Sequence, residues 1–94
     1  MAVELTDITG ERFAPGVEVG AYVTAAEAVR DAAARGAGQI EIRAERSGDR
    51  LVVAARHDGG GAPAPLVHVA DRIGALGGTL AVDGGGIRAE LPCG

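Results

Sequence analysis

Apolar and polar positions along the chain fall into segments of two different periods. Ala2-Val3-Glu4-Leu5-Thr6 alternates weakly, as a short edge strand does, and Asp7 to Pro15 is a turn-rich connector with Gly10 and Pro15 as breakers. Residues 16–35 are Ala-rich and close on Gly36, the residue type that ends helices in a left-handed conformation. Within this predicted helix Tyr22, Ala26, Val29 and Ala33 recur at spacings of four, three and four, so they are expected on one stripe facing a sheet. Glu27 and Asp31, four apart, stack on another face of the same helix.

Ile40, Ile42 and Ala44 then alternate with Glu41, Arg43 and Glu45, the pattern of a half-buried strand. Ser47-Gly48-Asp49 predicts a hairpin turn, and Leu51 to Arg56 the returning strand. That apolar run leads through His57 and Asp58 into Gly59-Gly60-Gly61, where a chain without Cβ atoms can approach a phosphate or a purine closely. Gly59 to Pro65 predicts no regular structure. Leu66, Val69, Ala70, Ile73 and Leu76 fit a second amphipathic helix ended by Gly77-Gly78. Thr79 to Val82 and Ile87 to Leu91 predict two strands around a hairpin at residues 83–86. Hairpins with two helices imply an α+β fold, a two-layer sandwich with a mixed, mostly antiparallel sheet and both helices on one face.

Ninety-four residues with almost no aromatic side chains make one domain, whose core must be Val, Ile, Leu and Ala. A net charge of -4, with acids and bases interspersed, gives no footprint for nucleic acid. The single cysteine, Cys93, excludes a disulfide framework within the chain, and His57 and His68 lie far from it in sequence. Met1 to Glu4 has no signal-peptide pattern, and no apolar run approaches membrane-spanning length. The expectation is a cytoplasmic protein or domain without membrane contact.

In order and in residues, the chain resembles the ATP-binding domain of sensor histidine kinases, the Bergerat ATPase fold, over Val17 to Pro92. Glu18 to Tyr22 followed by Glu27 to Asp31 is similar to the family's N-box helix (residues 16–35). His57-Asp58-Gly59-Gly60-Gly61 falls at its first glycine box, within a loop of residues 57–65. Ala70 to Gly78 resembles the end of its second helix (residues 66–76), and Gly84 to Pro92 its last hairpin and strand. The resemblance implies a catalytic role for Glu27 beside the γ-phosphate. It implies nucleotide contacts at Asp31, His57, Asp58, Gly59 and Gly61, with Mg-ATP or Mg-ADP as cofactor and Asp31 as the magnesium ligand.

Three departures bear on that implication. Asp31 stands where the family has a magnesium-coordinating asparagine; aspartate is also a hard-oxygen ligand, but it adds negative charge beside a polyanion. As a bland alternative, Asp31 pairs with Arg35 one turn on. His57 replaces the aspartate that accepts from the adenine amine, and Asp58 next door projects to the opposite face unless the strand bulges. Pro65 and His68 stand where the second glycine box would cradle phosphate, within a short lid. Three readings stand: a degenerate ATPase domain with weak or absent ATP binding that works through a protein partner or self-association in two-component-type signalling; a functional Mg-ATP or Mg-ADP domain acting with a separate phosphoacceptor domain; and a small-molecule module using the emptied cleft.

Overall fold

The computed structural model describes residues 1–7, 10, 12–60, 66–83 and 85–93. The chain runs through β1 (Ala2–Asp7), α1 (Pro15–Ala34), β2 (Gln39–Ser47), β3 (Arg50–His57), α2 (Val67–Ala75), β4 (Thr79–Asp83) and β5 (Gly86–Pro92). The strands form one sheet in the order β1-β2-β3-β5-β4. Only the β1–β2 pair is parallel; the other neighbours are antiparallel. The chain is therefore an α+β sandwich with a mixed sheet, as the alternation of hairpins and helices predicts, and the glycine-box strand β3 is its middle strand.

Register explains which side is buried. Ile42 lies opposite Ala55, Ala55 opposite Ile87, and Ile87 opposite Val82, so one face of the sheet is apolar across four strands. Leu51 opposite Leu91 and Val53 opposite Ala89 extend the same face. Ile40, Ile42, Leu51, Val53, Ala55, Ala89 and Leu91 are all 3% exposed or less, and α1 and α2 pack upon them through Ala28, Ala32, Val69 and Ile73. The opposite face carries Glu41, Arg43, Arg56 and Arg88, all exposed.

The stripe of α1 that meets the sheet is not the one periodicity favours. Val17, Gly20, Thr24, Ala28 and Ala32 are buried, whereas Tyr22 is 73% exposed and Ala26 and Ala33 face solvent; Val29 is half-buried. The helix is apolar nearly all round, so spacing alone selects no face, and size decides instead. A Cβ added at Gly20 would meet methyls of Leu76 and Leu91, so the absence of a side chain there is what lets α1 lie close over β5 and α2. Thr24, fully buried, satisfies its hydroxyl by donating to the Gly20 carbonyl at 2.8 Å. Pro15 opens α1, where its missing N–H is harmless, and Glu18 in the first turn accepts from Phe13 N–H and pairs with Arg12.

In α2, Val69 and Ile73 are buried and Leu66 and Leu76 half-buried as their spacing predicts, but Ala70 is exposed. The helix closes on Gly77 at φ +79, with Gly78 N–H reaching back to the Ile73 carbonyl. At its start Leu66 is the N-cap, held in the left-handed region (φ 44) with no side-chain cap. Among the described residues Leu66, rather than His68, adopts the backbone conformation that glycine favours; Pro65 lies outside them.

Candidate functional site

Asp31, Gly59 and Arg35 meet where the C-terminal end of α1 faces the loop leaving β3. Two turns of helix place Glu27, Asp31 and Arg35 in one row, and the end of the middle strand delivers His57 to Gly59, which packs on the backbone of Arg35. Arg35 joins the two elements. Its Nη1 donates to Asp31 Oδ2 at 3.3 Å and its Nε to the Gly60 carbonyl at 2.8 Å, while Gly60 N–H donates to the Arg35 carbonyl at 3.2 Å. The side chains of Arg35 and Asp31 are 9% and 10% exposed. Gly59 is required by this contact: a Cβ there would stand 3.0 Å from the Arg35 carbonyl oxygen and 3.1 Å from His57 Nδ1. The sequence offers the Asp31–Arg35 spacing as a bland alternative to a metal site, and the structure adopts it; the reach of Arg35 to a loop 25 residues on has no sequence signal.

Asp31 is thus engaged by a side chain of its own helix end. Its carboxylate is held by a guanidinium, and among the described residues no three His, Cys, Asp or Glu side chains converge as a metal site. Magnesium takes one or two carboxylates together with substrate phosphates, and here Asp31 Oδ2 is engaged by Arg35. Glu27, one turn earlier on α1, is held less firmly. Its carboxylate lies 3.8 Å from Arg30 Nη1, beyond hydrogen-bond range, and the side chain is 32% exposed.

His57 faces the helix side of the sheet, opposite Ile40 in the β2–β3 register. Its Nδ1 accepts from Gly59 N–H at 3.0 Å, so the single proton of the neutral ring sits on Nε2. Nε2 is buried and has no hydrogen-bond partner among the described residues. The ring thus offers a donor where the family resemblance calls for an acceptor of an exocyclic amine.

Asp58 turns away from this cluster. Its Oδ1 accepts from Gly38 N–H at 2.8 Å and Gln39 N–H at 3.1 Å, tying the end of β3 to the start of β2. These two backbone hydrogen bonds, the Gln39 bond first, hold its carboxyl below the usual aspartate range. Asp58 is an exposed fastener of the sheet. A groove of about 620 Å³ beside it runs along the ends of β1, β2 and β3, where Glu4, Glu41 and Arg56 stand in a row across the strands. Gly61, the remaining candidate, lies outside the described residues, as does most of the predicted loop to Pro65.

No family model matches this sequence, and no curated protein does either. Solved structures do. The histidine kinase AdeS of Acinetobacter baumannii superposes with a TM-score of 0.74 at 16% identity, covering 98% of this chain and 54% of that one. The ATP-binding domain of PrrB from Mycobacterium tuberculosis superposes with a TM-score of 0.59 at 20% identity, covering 97% and 79%. This chain thus spans about half the length of the AdeS structure. Among the described residues, no helix is long and apolar enough to cross a membrane. Five strands in a mixed sheet, two helices on one face, and a glycine loop after the middle strand together make this the histidine-kinase-like ATPase fold.

Proposed function

We propose that the chain is a degenerate histidine-kinase-type ATPase domain with weak or absent ATP binding, serving in the cytoplasm as a regulatory or protein-interaction module of two-component-type signalling. The observation that carries this reading is Arg35. Its guanidinium pairs with Asp31 and donates to the Gly60 carbonyl, and its own carbonyl accepts from Gly60 N–H, so on this reading neither the Asp31 Oδ2 nor the Gly60 amide is free for magnesium or nucleotide. His57 adds to it, because an Nε2 donor gives nothing for an adenine amine to donate to. Losing a charge-assisted hydrogen bond costs about 1.5–3 kcal/mol, roughly ten- to a hundredfold in affinity, and more than one contact is altered.

One observation favours the second reading, a working Mg-ATP or Mg-ADP domain acting with a separate phosphoacceptor domain. Glu27 is present on α1 and makes no hydrogen bond to Arg30. Isothermal calorimetry of the folded chain with ATP and ADP, with and without magnesium, separates the two. The degenerate reading expects no heat up to millimolar nucleotide. Micromolar binding that disappears in Glu27→Ala or Asp31→Ala would overturn it.

A further inference from the structure

We infer that β1 is a dimerisation edge and that its occupant is β1 of a second copy of this chain, paired antiparallel about Val3. The inference begins from an uncovered strand. In the parallel register Val3 lies beside Ile40 and Leu5 beside Ile42, so both project to the helix side of the sheet. Among the described residues no helix covers them there: Val3 is 54% exposed, Leu5 69% and Met1 48%, while Ile40 and Ile42 beside them are buried. Strands stand about 4.8 Å apart and helices about 10 Å, so two helices cover roughly four strands of five. At the far edge α2 covers β4, leaving Leu80 and Val82 half-buried.

Among the described residues, no strand pairs with the outer edge of β1. Ala2 N–H donates to the Gly38 carbonyl at 2.9 Å, which directs the backbone groups of Ala2, Glu4 and Thr6 toward β2. Those of Val3 and Leu5 point out of the sheet. Such a row of alternating N–H and C=O groups is a template on which a further strand can replace solvent with a full ladder, and β1 carries no proline and no lysine to prevent it.

The sequence of β1 is self-complementary in one register. Centred on Val3, the pair sets Val3 against Val3 and Leu5 against Met1 of the second copy, an unbroken apolar row on the side that no helix covers. Glu4 then lies opposite Ala2. A register centred on Glu4 would oppose two like charges at a closely spaced, non-hydrogen-bonded pair. One centred on Leu5 would leave Met1 and Ala2 facing past the end of the strand. The two-fold axis makes the contact isologous and closed, joining two five-stranded sheets into one. This contact requires nothing of the nucleotide site, so a failed dimer and a failed degenerate reading are separate results.

Sedimentation velocity of the nucleotide-free full chain over a wide concentration range tests the association. A reversible dimer is expected, weakened at least about tenfold by Leu5→Lys, a change at a site too exposed to affect folding. Disulfide capture tests the register. In a Cys93→Ser background, Val3→Cys places two thiols at a hydrogen-bonded pair about 5.5 Å apart between Cα atoms, within disulfide reach, and mild oxidation is expected to crosslink it faster than Glu4→Cys. A monomer at every concentration, an association indifferent to Leu5→Lys, or faster crosslinking through position 4 would each overturn the inference.

Discussion

Asp31 and Arg35 form an ion pair at 3.3 Å with both side chains about nine-tenths buried, and the same guanidinium holds the carbonyl of Gly60. Helix α1 and the glycine loop are thereby fastened by one residue. Removing one partner of a buried pair leaves the other charge uncompensated, which costs about 3 kcal/mol or more. Arg35→Ala is therefore expected to lower the urea midpoint sharply, a large fraction of what a domain this small possesses. Asp31→Ala leaves Arg35 its Gly60 contact and should cost less. The double variant should be less destabilised than the sum of the singles, a coupling read from a double-mutant cycle.

The acid limb of the stability profile belongs to Asp58 and Glu18. Backbone hydrogen bonds from Gln39 and Gly38 depress the Asp58 carboxyl, and Arg12 with Phe13 N–H depresses that of Glu18. A carboxyl depressed in the folded state stabilises it fully above the ordinary value, about pH 4. That contribution is lost as pH falls through the lower folded value, because the unfolded chain then takes up the proton first. Thermal unfolding midpoints should be flat near neutrality and fall below about pH 4. Asp58→Asn should lower the neutral plateau and make the acid decline shallower.

These elements differ in how plainly the sequence announces them. The chain order of the elements, both hairpins and the glycine-ended helix termini follow from alternation and from Gly36, Gly48 and Gly77, since backbone conformation at those points depends on local chemistry, whereas the parallel β1–β2 pairing and the place of Pro15 inside the first turn of α1 do not. The face of α1 does not follow, because a helix apolar on all sides leaves the choice to packing, and packing favours Gly20 and Thr24 over Tyr22. At the site, the Asp31–Arg35 pair is a local spacing and is legible. Arg35 to Gly60, and Asp58 to Gly38 and Gln39, join residues 19 to 25 apart in the chain and depend on the tertiary fold.

Gly59 and Gly60 are adjacent but should respond oppositely to alanine. A Cβ at Gly59 would press on the Arg35 carbonyl and on His57 Nδ1, whereas one at Gly60 would meet none of the described residues within 4 Å. Gly59→Ala should cost about 1–3 kcal/mol through displacement of the loop. It should also release Nδ1 from its bond to the residue-59 amide, visible as a change in the His57 ring nitrogen shifts. Gly60→Ala should change neither stability nor those shifts appreciably.

The hydroxyl of Thr24 contributes little despite its complete burial. It donates to the Gly20 carbonyl, a group that also lies within hydrogen-bonding reach of the helix backbone one turn on, so deleting the hydroxyl orphans no buried acceptor. Thr24→Val keeps the shape of the side chain and removes donor and desolvation cost together, and its expected effect is within about 1 kcal/mol of zero. Thr24→Ser keeps the hydroxyl but deletes a methyl group packed in the core, which should cost about 1 kcal/mol. Chemical denaturation of the two variants should therefore rank valine at or above serine. The reverse order would mean that the hydroxyl, rather than the methyl, holds α1 against the sheet.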